Sequence, residues 1–241
     1  MSKMEDVRLV KTGIPGLDDL LRGGLPEQSI TLISGPPGIG KSNMGLQFIY
    51  NGIMEYDEPG IYMSVEYSRT EVQKYCRNFG WDLNALEKAN KLVVLEQTML
   101  QSEKTGKGSE RSLIDTVRRV GAKRLTLDSI TLFNYMYEDD PKLRRLHLLD
   151  FMSTIKTLGL TALVISEQYG VWPNVQVDPD HFLAEGLIQL FWTTQHAVGE
   201  RCIKVAKMRG QDVDTNIRPF RISNKGVEVH YTEVPFTLKN F

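Results

Sequence analysis

The stretch Gly35-Pro36-Pro37-Gly38-Ile39-Gly40-Lys41-Ser42 constrains this chain more than any other part of it. A glycine, four residues and then Gly-Lys-Ser form a turn tight enough to point main-chain N–H groups inward, where they can cradle phosphate oxygens. Such a turn needs a strand to deliver the chain and a helix whose first N–H groups and dipole face the anion. Both flanks are present. Residues 29–34 read as a buried strand, and residues 43–54 carry Met44, Phe48, Ile49 and Ile53 near helical spacing. The candidate nucleotide-binding residues are therefore Gly35, Pro36, Pro37, Gly38, Ile39, Gly40, Lys41, Ser42 and Asn43. Lys41 is expected to span the β- and γ-phosphates, and the Ser42 hydroxyl to hold Mg²⁺, which prefers oxygen ligands.

Two acids stand where a phosphate site needs them. Residues 60–65 form an expected second strand that ends at Glu66, beside the cradle if the two strands are neighbours. A carboxylate there can orient or deprotonate the water that attacks a γ-phosphate, or it can simply cap the next helix or pair with Arg69. Residues 123–129 form a further strand that ends at Asp128, the second expected metal ligand with Ser42. Between them lie a strand at 91–95 and a polar, glycine-containing segment, 98–111, expected to be a surface loop. Residues 141–158 should form a helix with Leu143, Leu146, Leu149, Met152 and Ile155 on one side. A strand at 160–166 leads to Glu167 and Gln168 at its tip. Strands at 186–192, 201–206, 219–223 and 227–230 complete an α/β fold: a mainly parallel central sheet flanked by helices, with antiparallel strands at its C-terminal edge.

Composition narrows the class. With 41% hydrophobic residues a chain of 241 can bury one large core, which fits a single domain over residues 1–241. Lys and Arg number 29 against 30 Asp and Glu, so no global basic field draws the chain to nucleic acid. Cys76 and Cys202 lie far apart with no ligand spacing, as expected of reduced thiols in a cytoplasmic protein. The charged opening residues and the lack of a long apolar run predict neither a signal sequence nor a membrane partner.

Taken together, the chain resembles the RecA-like ATPase superfamily and, within it, the KaiC/RadA-type ATPases. The resemblance rests on Lys11-Thr12-Gly13-Ile14-Pro15-Gly16-Leu17-Asp18, Gly23-Gly24-Leu25-Pro26, the cradle, Tyr62-Met63-Ser64-Val65-Glu66, Leu127-Asp128-Ser129 and Lys207-Met208-Arg209-Gly210. It implies a RecA-like P-loop core, ATP and Mg²⁺ as cofactors, and a homo-oligomer, usually a hexameric ring, with ATP held between subunits. It also implies that Lys207 and Arg209 reach the phosphates bound by the neighbour, so that Lys41, Glu66, Lys207 and Arg209 form the catalytic set.

Two departures bear on rate and regulation. Tyr67 occupies the place of a second glutamate, and residues 180–185 offer no hydroxyl for self-phosphorylation. Two other functions stay open beside an ATP-driven regulator or motor. One is a RadA-like ATPase that binds single-stranded DNA, with Tyr135, Tyr137 and Trp172 as stacking candidates and Lys142, Arg144 and Arg145 as cations. Against it, Glu138, Asp139, Asp140, Asp178 and Asp180 would repel phosphate. The other is a slow, nucleotide-dependent assembly scaffold for an unknown protein partner.

Overall fold

The computed structural model describes residues 8–96, 107–130, 133, 137, 139–167, 182–195 and 198–239, with no side chains described for 107–110. The expected loops that carry Gln168, Tyr135, Glu138, Trp172, Asp178 and Asp180 lie outside these residues, as do the first seven positions.

The chain opens with β1 (Leu9–Val10), α1 (Leu17–Leu20) and β2 (Leu25–Pro26), and β1 pairs antiparallel with β2. The cradle lies between β3 (Ile30–Gly35) and α2 (Lys41–Tyr56). Then come β4 (Gly60–Ser64), α3 (Arg69–Arg77), α4 (Leu83–Lys88), β5 (Leu92–Glu96), α5 (Lys107–Val120), β6 (Arg124–Asp128), α6 (Pro141–Thr157) and β7 (Thr161–Glu167). Strands β8 (Gly186–Gln195), β9 (Val198–Met208), β10 (Arg218–Ser223) and β11 (Gly226–Val229) follow, with a short 3-10 turn at Phe236–Leu238. Nine strands form one sheet in the order β11-β10-β9-β8-β3-β7-β6-β4-β5, parallel from β8 to β5 and antiparallel from β8 to β11. The expected α/β architecture is the one observed.

Every residue of β3, β4 and β6 is buried, as strands covered on both faces require. One face packs under α2, α3 and α4 through Phe48, Ile49, Val72 and Leu86, and the other under α5 and α6 through Leu113, Val117, Phe151 and Ile155. The helices start where their chemistry allows. Ser68 and Glu71 make a reciprocal capping box on α3, and Asp140 caps α6 by accepting from the amides of Lys142 and Leu143.

Three expectations need correction. Strand β4 is not beside β3, because β7 and β6 lie between them. The segment from Lys107 onward is helical, not loop, since α5 starts there. The third concerns α6, whose buried face is Leu148, Phe151, Met152 and Ile155, whereas Leu143, Leu146 and Leu149 are 40%, 63% and 42% exposed. Apolar residues run round both sides of this helix, so period alone does not say which side meets the sheet.

The opening and closing stretches of the chain are stitched together. The Gln211 amide donates to the carbonyls of Leu21 and Gly24, and the Asp214 N–H donates to Leu20 O at 2.8 Å. Gly16, at φ +75°, meets Val229 so closely that a Cβ would stand 1.9 Å from its carbonyl oxygen. Gln47 of α2 in turn donates to Val227 O at 3.1 Å and accepts from Val227 N at 2.6 Å.

Candidate functional site

The cradle joins the central strand to a helix that begins without a side-chain cap. Gly40 precedes α2 at φ +119°, a backbone that L side chains rarely adopt, and a Cβ there would lie 2.6 Å from Ile222 Cδ1. With no side chain to satisfy them, the first N–H groups of α2 are open to an anion. Ile39 is wholly buried and pins the loop from below, while Pro37 and Gly38 are exposed.

Lys41 is buried, and its ammonium donates to the carbonyls of Gly35 at 2.8 Å and Pro36 at 3.0 Å. Burial lowers its pKa, and the nearby carboxylates of Glu167, Asp128 and Glu66 oppose that shift. Asp128 sits at the end of β6, where Tyr62 OH donates to its Oδ2 and the Ser42 hydroxyl also hydrogen-bonds it. Burial nonetheless raises its pKa above the usual carboxylate range, against the pull of Tyr62, Ser42 and Lys41. The peptide bond from Asp128 to Ser129 is cis.

Glu66 is exposed, just beyond β4. Partial burial raises its pKa, then the charges of Asp128 and Glu167 raise it further, and Lys41 opposes them. Although two strands separate β4 from β3, Glu66 thus belongs electrostatically to the group around Lys41.

Hard oxygen donors are what magnesium requires, and Ser42 and Asp128 supply them side by side. Among the described residues no cluster of three or more His, Cys, Asp or Glu side chains forms a metal cage. A site with two protein oxygens suits an ion whose remaining ligands come from phosphate and water.

A pocket of about 460 Å³ opens over the cradle, lined by Gly38, Gly40, Lys41, Ser42 and Asn43 together with Tyr67, Arg201 and Ile222. Sequence reasoning missed Arg201 and Ile222. Arg201 on β9 lies opposite Trp192 on β8, its guanidinium 4.5 Å from the indole centroid, and its Nε is buried with no partner among the described residues. A hairpin that pairs Gln195 with Val198 also pairs Trp192 with Arg201, so the hairpin register was the signal available. Tyr67 stands at the mouth with its ring edge-on to Tyr75, centroids 5.3 Å apart.

Lys207 and Arg209 are not brought to this pocket. Lys207 pairs with Leu187, which pairs with Leu32, and the Arg209 N–H bonds Glu185, whose own N–H bonds Ile30 O. Arg209 therefore stands level with the first residue of β3, roughly 17 Å along the strand from Gly35. There Lys207 Nζ donates to Ala184 O at 2.6 Å and the Arg209 guanidinium to Phe182 O at 3.3 Å. Burial and then repulsion from Arg209 lower the Lys207 pKa. Of the candidate base-stacking rings, Tyr137 is described, and it lies flat on His147, centroids 4.4 Å apart.

Residues 10–234 match the family described as "ATPase: KaiC". The chain belongs to the KaiC ATPase family. A UPF0273 protein of Methanocaldococcus jannaschii is 34% identical over 95% of this chain and 98% of its own length. A circadian clock oscillator protein KaiC, from Parathermosynechococcus lividus, is 30% identical over 95% of this chain, which spans 43% of that longer protein. The crystal structure of a KaiC-like protein from Pyrococcus horikoshii superposes with a TM-score of 0.83 at 30% identity, covering 93% of this chain and 99% of that one. The fold is thus a KaiC-like RecA-type ATPase core, and membership of the family implies nucleotide binding. No helix among the described residues is long and apolar enough to cross a membrane.

Proposed function

We propose that this chain is a magnesium-dependent ATP hydrolase, a single domain that works as a cytoplasmic homo-oligomer, a hexameric ring in which Lys207 and Arg209 of one copy complete the site of the next. The observation that supports it best is the buried Lys41 amine among three carboxylates at the uncapped start of α2. Lys41 donates to loop carbonyls, and a triphosphate would give it a stronger, charged acceptor. The amides that open α2 grip the phosphates, and Ser42 and Asp128 hold magnesium. Bound there, the ion would offset charge on the phosphate oxygens. Glu66 takes a proton from the attacking water, a task that its raised pKa suits. Arg201 and Ile222 flank the nucleoside end, with the guanidinium against the base.

The distance of Lys207 and Arg209 from their own cradle supports a role across a subunit contact, where added positive charge stabilises the transferring phosphoryl group. A second reading, a slow switch that assembles with ATP and resets on hydrolysis, is favoured by Tyr67, a neutral ring at the pocket mouth. Steady-state turnover measured beside single-turnover kinetics separates the two. The hydrolase reading fails if Mg²⁺-dependent turnover is absent or survives Lys41→Ala.

A further inference from the structure

Strand β6 carries more than Asp128 on the side that meets the cradle helix. Alternate residues of a strand share a face, so Arg124, Thr126 and Asp128 stand in one row. Each is fastened to α2. The Arg124 guanidinium donates to Phe48 O at 3.1 Å, the Thr126 hydroxyl donates to Gly45 O at 3.0 Å, and the Asp128 carboxylate hydrogen-bonds the Ser42 hydroxyl. Two-residue steps along the strand thus meet three-residue steps along the helix, and the row ends at the two oxygens offered to magnesium.

The fit along this row is close. Gly45 and Gly52 lie where α2 meets β6, and a Cβ at these positions would stand 2.6 Å from Thr126 Cγ2 and 2.4 Å from Arg124 Cδ. Glycine is disfavoured inside a helix, so the near approach of strand side chains gives these two residues a reason. Thr126 is wholly buried, and Arg124 is 1% exposed. A buried guanidinium is costly unless its donors are met, and here Glu58 lies 2.6 Å away, with the Phe48 and Tyr56 rings 4.6 and 5.3 Å from the guanidinium carbon. Enclosed on several sides, Arg124 is a fixed peg.

We propose that Arg124 and Thr126 are positioning residues for the magnesium site: they fix the height and rotation of α2 on β6 and so keep the Ser42 hydroxyl beside the Asp128 carboxylate. This rests on the reading of Ser42 and Asp128 as the metal pair given above and identifies what holds that pair in register. Magnesium demands near-ideal geometry, so a small slip of α2 weakens its site. Neither Arg124 nor Thr126 lines the pocket over the cradle, so their loss should appear in the response to metal rather than in the grip on nucleotide. Groups that orient metal ligands from behind are typically worth about 10- to 100-fold in metal affinity.

The test uses the full chain carrying Thr126→Val, which keeps the shape and loses the hydroxyl, beside Thr126→Ser, which keeps the hydroxyl. Calorimetry reads the affinity for a non-hydrolysable ATP analogue in EDTA and then as Mg²⁺ is added. The native chain should bind more tightly with the ion. Thr126→Val should match native affinity in EDTA within about twofold and need about tenfold more Mg²⁺ for half of the gain, and Thr126→Ser should stay within about twofold of native throughout. Arg124→Met, which keeps the length and removes the donors, should shift the response in the same direction; if that chain does not fold, the Thr126 pair decides. Ile155→Val, a core change on the other face of the sheet, controls for lost stability and should leave the response native. An equal Mg²⁺ response in the native and Thr126→Val chains overturns the proposal, as does a shift that Thr126→Ser or Ile155→Val shares, or a loss of affinity in EDTA as large as the shift. A native chain that binds the analogue no better with Mg²⁺ would instead refute the magnesium reading of Ser42 and Asp128, and the positioning role would fall with it.

Discussion

At the carboxyl end of β3 one buried amine is surrounded by three carboxylates, whereas at the far end of β9 two cations each donate to a carbonyl, with the Glu185 carboxylate near Lys207. The first region is acid-rich and half enclosed, the second base-rich and open. Both hold groups whose pKa values burial and like-charge neighbours displace from the ordinary. Groups so displaced concentrate where a ligand or partner supplies the missing charge. The difference teaches which charge each end lacks: on the function proposed above, the cradle would take a cation and a polyanion together, and the foot of β9 an anion.

If the cradle carries binding and chemistry in its own subunit, Lys41→Ala should weaken ATP binding by about a hundredfold or more, as read by calorimetry. Glu66→Gln should leave binding near native and cut turnover by about a hundredfold, the effect of removing a general base. The foot of β9 should behave the other way round. Arg209→Ala should lower turnover by about a hundredfold or more while single-site affinity barely changes, and an equal loss of affinity would break the contrast. Arg201→Ala tests the nucleoside end, with an expected loss of about tenfold for ATP and none for tripolyphosphate in competition binding.

The smallest effects concern protons. As the proposed base, Glu66 would act only when deprotonated, so turnover should fall as pH drops through its raised pKa. Glu167→Gln removes one of the charges that raise it and should move that acid limb to lower pH. Asp128 has a folded pKa above its unfolded one, so its contribution to stability is present in acid and lost as pH rises through the folded value. Asp128→Asn should therefore raise the melting temperature of the nucleotide-free protein at neutral pH, with the gain vanishing in acid, while Mg²⁺-dependent turnover is abolished.

The cradle was legible because its glycines, lysine and serine have fixed spacing between a buried strand and a helix. The order of the sheet was not, because nothing local in residues 60–65 says that β6 and β7 will insert between β4 and β3. Leu143, Leu146 and Leu149 misled for a related reason: helical spacing identifies a stripe but not what the stripe faces. Arg201 gave no signal alone. It gains meaning only when β8 and β9 bring Trp192 opposite it and β10 brings Ile222 to the same pocket.

The fastening at Gln211 has a mechanical consequence. The loop that carries Arg209 is tied to Leu20, Leu21 and Gly24; the same amino-terminal module presses through Gly16 on Val229, and β11 grips Gln47 on the cradle helix. A displacement of Arg209 would therefore be felt, joint by joint, at the helix that opens the cradle of the same molecule.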